Sequence, residues 1–301
     1  MKTAILIAGP TASGKSAVAM DVAERLNGVV INADAMQVYT ELDVLTSRPS
    51  RADEARVPHK LFGCAPADDA WSAGRWLAAA GAEITDAWRS GRVPVIAGGT
   101  GLYFKVLVEG LSPIPDVPVD VRDHWRARLQ REGPGALHAE LARMAADDAA
   151  RIEPADGQRI VRALEVLQAT GKPLGDHFAA ARQVSVLAGA EVRRVALMPP
   201  REELYRSCDA RFHAMLDSGA VGEVERLLAL GLAPDLPAMK AIGVAALAGH
   251  IAGELLLKDA TDLAQKQTRN YAKRQMTWIR NQMADWPKAE TRQQALEILL
   301  E

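Results

Sequence analysis

Eight residues near the start of the chain, Gly9-Pro10-Thr11-Ala12-Ser13-Gly14-Lys15-Ser16, have the types and spacing of an anion cradle. This G-x-x-x-x-G-K-[ST] pattern follows an apolar run, Ala4-Ile5-Leu6-Ile7-Ala8, and precedes a helical stretch beginning at Ala17. That is the setting of a phosphate-binding P-loop. Glycines let backbone N–H groups turn inward around an anion, and the following helix aims its positive end at the same place. Lys15 adds a point charge, and the Ser16 hydroxyl can ligate Mg²⁺. A chance glycine turn would share the pattern but not the flanking strand and helix. The loop leaves open whether a bound phosphate is hydrolysed, transferred or displaced.

Other elements must hold partners near this loop. Val29-Val30-Ile31 reads as a buried strand ending at Asn32-Ala33-Asp34. Strand C-termini face the ligand crevice of an open parallel sheet, which brings Asp34 toward the phosphate. Capping the next helix is the other reading of that aspartate. Residues 35–39 continue as a short helix or loop, and the polar connection 46–51 is expected to be exposed and mobile. Residues 58–63 offer a short strand, and Ser72 caps a helix to about Arg89 that Gly91 ends. Val93-Pro94-Val95-Ile96-Ala97 is a further strand, running into the glycine turn Gly98-Gly99-Thr100-Gly101 and a helix from Leu102. Strands interleaved with helices, two of them ending in glycine turns, predict a doubly wound parallel sheet of the α/β class.

The character changes at Leu111-Ser112-Pro113-Ile114-Pro115-Asp116-Val117-Pro118, a proline-rich hinge or linker. Residues 119–185 then read as helices alone, broken at Gly133-Pro134-Gly135 and near Gly171-Lys172-Pro173. The strand pattern returns once, at 192–198, followed by helices to the end. The expected organisation is an α/β core over 1–117, an all-helical insertion over 118–188, and completion of the core over 189–301.

At 301 residues and 49% hydrophobic composition, the chain can bury a large core. A net charge of −2 gives no overall pull toward nucleic acid, so any such site must be a local patch. Cys64 and Cys208 carry no metal or disulfide spacing and suggest a reducing compartment. The apolar run after Met1-Lys2 stops at Gly9, too soon for a signal peptide. No apolar stretch approaches the ~20 residues of a membrane helix. No membrane association and a cytoplasmic location are expected.

One local patch exists. Over 263–284 a helix carries Lys266, Arg269, Lys273, Arg274 and Arg280 with no acidic residue. Lys266, Arg269, Lys273 and Arg280 share one face, and Tyr271 and Trp278 interleave with them. A solvated basic face is the bland reading. One-sign charge beside aromatics favours contact with nucleic-acid phosphates.

Four segments in order go beyond a generic P-loop. They are residues 9–16, Asn32-Ala33-Asp34-Ala35-Met36-Gln37-Val38-Tyr39, Gly98-Gly99-Thr100-Gly101-Leu102-Tyr103-Phe104-Lys105, and Lys273-Arg274-Gln275-Met276-Thr277-Trp278-Ile279-Arg280. Together with Gln158-Arg159-Ile160-Val161-Arg162-Ala163-Leu164-Glu165 and the segment Arg211-Phe212-His213, they resemble the bacterial tRNA dimethylallyltransferases over nearly the whole chain. The resemblance implies a P-loop NTPase-like core with a helical insertion gripping the anticodon stem–loop. It implies Mg²⁺-assisted transfer of a dimethylallyl group from its diphosphate to the exocyclic amine of the adenine 3′ of the anticodon. Asp34 matches the family's general base and Thr100 a threonine near the reacting centre, although a turn hydroxyl also explains Thr100. Gly9, Pro10, Thr11, Ala12, Ser13, Gly14, Lys15 and Ser16 would hold the departing pyrophosphate, with Arg211 beside them and Ser16 on the metal. The family's tRNA contacts map to Asp34, Ala35, Met36, Gln37, Thr100, Arg122, Gln158, Arg159, Ile160, Val161 and Arg162, and to Lys266, Arg269, Lys273, Arg274 and Arg280. For Arg162 an internal pair with Glu165 is the alternative. A monomer is expected.

Three positions depart from the family pattern. Val44-Leu45 stand where a glycine is usual, Lys60 where a histidine or arginine is common, and Val244 where a tyrosine commonly follows Gly243. The rival readings are a transferase acting on free adenine nucleotides, a P-loop kinase or NTPase, and a non-enzymatic RNA-binding protein.

Overall fold

The computed structural model describes residues 2–112, 114–179 and 184–301. Pro113 and residues 180–183, which the sequence assigns to the linker and the helical block, lie outside the described residues. Two compact units divide the chain, Met1–Val108 with Ser185–Glu301, and Glu109–Val184.

Among the described residues, six strands form the sheet of the first unit. They are β1 (Thr3–Ala8), β2 (Gly28–Asn32), β3 (His59–Lys60), β4 (Val93–Gly98), β5 (Glu191–Leu197) and β6 (Lys288–Ala289). Their order is β3-β2-β4-β1-β5-β6, and every neighbouring pair is parallel. β1 and β2 are buried almost throughout, as parallel strands covered on both faces must be. Helix α1 (Lys15–Arg25) follows β1 and α2 (Arg51–Arg56) precedes β3; α3 (Ala73–Arg89) and α4 (Gly101–Glu109) flank β4. Ile5, Ile7, Val30 and Val95 pack with Val18 and Val22 of α1 on one face. On the other, the fully buried Trp76 of α3 donates from Nε1 to the Asn32 carbonyl at 2.7 Å and stacks on Tyr103 of α4.

The second unit contains α5 (Val119–Met144), α6 (Ala146–Ala149), α7 (Gly157–Thr170) and α8 (Leu174–Ala179). Its own core includes Trp125, Leu137, Leu141, Ile160 and Leu164. The Gly133-Pro134 pair breaks α5, because Gly133 adopts φ 78°, ψ 166°. Gly171 closes α7 in the left-handed conformation.

The chain then completes the first unit with β5, α9 (Arg201–Asp217), α10 (Ala220–Ala229), α11 (Val244–Ile251), α12 (Leu257–Gln282), β6 and α13 (Arg292–Leu300). Phe212, Val224, Leu247 and Ala264 form an apolar cluster with Tyr39. Leu296 and Leu299 of α13 join α1 on the sheet.

Three features differ from the sequence reading. Residues 46–51 are tied down, since Arg48 pairs with Asp43 at 3.2 Å and Ser50 opens α2 through a capping box with Asp53. A two-residue strand, β6, lies between the last helices because it needs only the edge of β5 as its template. α12 begins at Leu257, ahead of the basic stretch, so Asp259 and Asp262 belong to it; its N-cap, Leu256, has no side-chain cap to mark the start.

Candidate active site

Parallel pairing puts the C-terminal ends of β1, β2 and β4 on one edge of the sheet, with Ala8 beside Gly98 and Asn32 beside Ala97. The loops leaving them meet there. Gly9 N–H donates to the Gly98 carbonyl at 3.3 Å, and Thr100 N–H to the Ala33 carbonyl at 3.1 Å. Gly14 caps α1 with φ 87°, a conformation an L side chain rarely adopts, so the loop folds back above the helix N-terminus.

Asp34 is held by its neighbours. The fully buried Asn32 takes the Asp34 N–H on Oδ1 at 2.7 Å and donates from Nδ2 to the Asp34 carbonyl at 3.0 Å. Asp34 Oδ1 accepts the Met36 N–H at 3.0 Å, and Thr100 Oγ1 accepts the Ala35 N–H at 2.9 Å. Backbone bonds thus join the two glycine turns, and backbone and side chain-to-backbone bonds together tie the aspartate segment to them. Gln37 closes the next turn, donating to the Thr46 and Ser47 carbonyls.

The loop lies between two cavities. One of about 330 Å³ is lined by Lys15, Ser16, Gln37, Arg48 and His59. The other, about 260 Å³, is lined by Thr11, Asp34, Arg211, Phe212, Met215 and Tyr271. Burial lowers the Lys15 ammonium to about pKa 8; Asp34 opposes that shift and Arg211 adds to it. Burial likewise lowers Arg211, whose guanidinium donates to the Thr11 hydroxyl. Burial first, and the Asp34 carboxylate next, push the Tyr271 phenol up, so it stays protonated. The site is a desolvated cationic cradle with one carboxylate beside it, suited to an anionic group in which charge grows.

Asn32, Tyr271 and Gln275 are constituents that site reasoning from sequence passed over. A strand-end asparagine and a mid-helix glutamine carry no spacing signal. In the sequence Tyr271 stands out only as an aromatic between basic residues.

Of the basic residues on α12, Lys266, Lys273, Arg274 and Arg280 are exposed. Arg269 is half-buried and paired with Asp209 of α9. A groove of about 450 Å³ runs along Asn270, Lys273, Arg274, Thr277 and Trp278. In the helical unit, Arg122 lies in the first turn of α5 and Gln158 in that of α7. Arg159 pairs with Asp156 at 3.4 Å and Arg162 with Glu165 at 3.4 Å, the internal bridge weighed above. Ile160 and Val161 are buried in that unit's core, so their side chains serve packing.

The chain matches the IPP transferase family over residues 37–282 and the isopentenyl transferase family over residues 2–58. It is 54% identical to the tRNA dimethylallyltransferase of Rhodospirillum centenum, over 93% of this chain and 89% of that protein. The chain belongs to the tRNA dimethylallyltransferase family. It is therefore a transferase. The crystal structure of the full-length tRNA isopentenylpyrophosphate transferase of Bacillus halodurans superposes with TM-score 0.70 at 29% identity, covering 99% of this chain and 94% of that one. A eukaryotic dimethylallyltransferase at 24% identity shares the fold with TM-score 0.83, covering 99% of this chain and 76% of that one.

The departures from the tRNA dimethylallyltransferase pattern have local accounts. Val44 and Leu45 sit in a turn whose N–H groups, with that of Asp43, converge on the buried Glu223 carboxylate at 2.7–2.9 Å. Lys60 pairs with Glu83 at 3.3 Å. Val244 is buried in the apolar cluster around Phe212.

Among the described residues no helix is long and apolar enough to cross a membrane.

Proposed function

We propose that this chain transfers a dimethylallyl group from dimethylallyl diphosphate to the exocyclic amine of the adenine 3′ of the anticodon in tRNA, releasing pyrophosphate. The observation that carries the reading is the arrangement of Asp34 beside the P-loop, with Thr11, Arg211 and Tyr271 around the same cavity. An adenine amine is a weak nucleophile, because its lone pair is delocalised into the ring. As its nitrogen bonds to the first carbon of the dimethylallyl group, the carbon–oxygen bond to the diphosphate breaks. Asp34 takes the proton that the amine loses. P-loop amides, Lys15 and Arg211 stabilise the departing negative charge, and the Thr100 hydroxyl fixes the backbone that carries Asp34.

The donor set fits a hard divalent cation shared with the diphosphate. Ser16 is exposed on the cavity wall beside Lys15, and no cluster of three or more His, Cys, Asp or Glu among the described residues could hold a metal. Mg²⁺ suits such a site, since it binds largely through substrate phosphates and water. When bound it would add to the charge neutralisation at the leaving group.

For tRNA, the reading uses the exposed Lys266, Lys273, Arg274 and Arg280 of α12, and Arg122, Gln158 and Arg159 of the helical unit. The target base must leave its stack to reach Asp34. Such a substrate is met in the cytoplasm, and a single copy of the chain carries every residue invoked.

The test follows radiolabelled dimethylallyl diphosphate into tRNA. Pyrophosphate is expected one-for-one with alkylated tRNA. Vigorous ATP turnover to orthophosphate without label in tRNA would favour a kinase or NTPase instead.

The Lys15 shift gives a pH dependence. Its folded value, about 8, lies below the ordinary 10.5, so the free site loses the Lys15 charge as pH rises through about 8. A bound anion favours the charged form, so binding above that pH takes up a proton and weakens as pH rises. Pyrophosphate affinity should fall from about pH 7 to about pH 9.5, and Lys15→Met should flatten the fall. A parent chain with level affinity across that window would remove Lys15 from the role.

A further inference from the structure

We propose that Gln275 is a positioning residue of the donor cradle, tying the diphosphate loop to the helix that bears the exposed basic residues. The inference rests on the functional reading above. Gln275 is buried in the middle of α12. Its Oε1 accepts the Thr11 N–H at 2.8 Å, and its Nε2 donates to the Gly99 carbonyl at 2.9 Å. One amide therefore joins the loop after β1 to the loop after β4. The fit is tight, since a Cβ at Gly99 would lie 2.2 Å from Gln275 Nε2.

Thr11 receives two further ties, both from α9. Arg211 donates to its hydroxyl, and the Cys208 thiol faces its carbonyl at 3.9 Å. The loop needs this fixing. The next residue, Ala12, holds φ 62°, which an L side chain disfavours and which persists only where the surroundings over-determine it. A strained crest held from outside is a crest that can be shifted from outside.

Gln275 points inward from a helix on which Lys273, two residues earlier, is exposed. A polyanion loading that outer face bears on the same helical turn whose inner side bonds Thr11. Acceptor occupancy and donor affinity are thereby coupled through one side chain. By linkage the effect is reciprocal.

The experiment measures pyrophosphate affinity of the full chain with and without a saturating RNA anticodon stem–loop. In Gln275→Met, which keeps the volume and loses both bonds, pyrophosphate affinity should fall about tenfold. The response of that affinity to the stem–loop, expected in the parent, should vanish. Stem–loop affinity measured alone should stay within about twofold, because the outer face is untouched. Gly99→Ala displaces the amide without altering Gln275, so it should reproduce the loss, and the double variant should be no worse than either single one. A purely structural glutamine would lower the melting temperature and leave the coupling intact, which overturns the proposal. So would a parent chain whose pyrophosphate affinity ignores the stem–loop. A parent that fails to bind pyrophosphate at all overturns the donor reading, and this inference with it.

Discussion

Replacing Asp34 with alanine is expected to slow single-turnover transfer by about 10²–10⁴-fold, the usual worth of a positioned general base. The expectation rests on how the residue is held. Asn32 grips its peptide from both sides, and Met36 N–H orients Oδ1, while Oδ2 takes no hydrogen bond from the described chain. The carboxylate is therefore aimed, with one oxygen left for an incoming proton. Asp34→Asn separates base from scaffold, since the amide keeps an acceptor for Met36 N–H and cannot take a proton at neutral pH. Both variants should bind tRNA nearly as the parent does and should retain pyrophosphate affinity. A single-turnover rate within a few-fold of the parent would reassign Asp34 to loop structure.

The second large effect separates a tRNA enzyme from one acting on free nucleotides. An anticodon stem–loop should be alkylated efficiently and AMP negligibly under equal conditions. A small acceptor gives the helical unit and the basic face of α12 nothing to hold, whereas binding energy from a stem is available to position the extruded base. Excising residues 109–184 tests the point from the protein side. The Ser185 hydroxyl donates to the Leu107 carbonyl at 2.6 Å, so the two ends of the cut lie together and a short flexible linker closes them. The shortened chain should still bind pyrophosphate and should lose transfer to the stem–loop. AMP serving as well as the stem–loop would refute the tRNA assignment.

Both expectations grew from features visible in the sequence, but legibility was uneven. The P-loop, the strand ending before Asp34 and the turn at Gly98-Gly99-Thr100 were readable because each joins a period-two or apolar run to residue types that only a turn requires. Ser72 announced α3 in the same way. Ser50 carried an equally good signal, with Asp53 three residues on, yet it stood in a polar stretch with no apolar periodicity after it. β6 was invisible because two residues have no period; its existence depends on β5 offering an edge. The network around the loop was the least legible part. That Gln275 bridges two loops depends on contacts across 264 and 176 positions, which no local pattern encodes. The Asn32 clamp on Asp34 is local, two residues apart, but an asparagine ending a buried strand does not announce it.

The strand order has a consequence for how the protein is made. β1 lies in the middle of the sheet, with β4 on one side and β5 on the other. While the chain leaves the ribosome, β1 to β4 can assemble as a half-sheet whose free margin is the unpaired N–H and C=O groups of β1, flanked by its apolar side chains. The residues that close this margin begin at Glu191, after the whole helical unit has been synthesised. At ~5–20 residues per second that interval is roughly 5–20 seconds. An unpaired strand edge with apolar flanks invites pairing with other nascent chains. The unit inserted between α4 and β5 thus imposes a waiting time on every newborn copy.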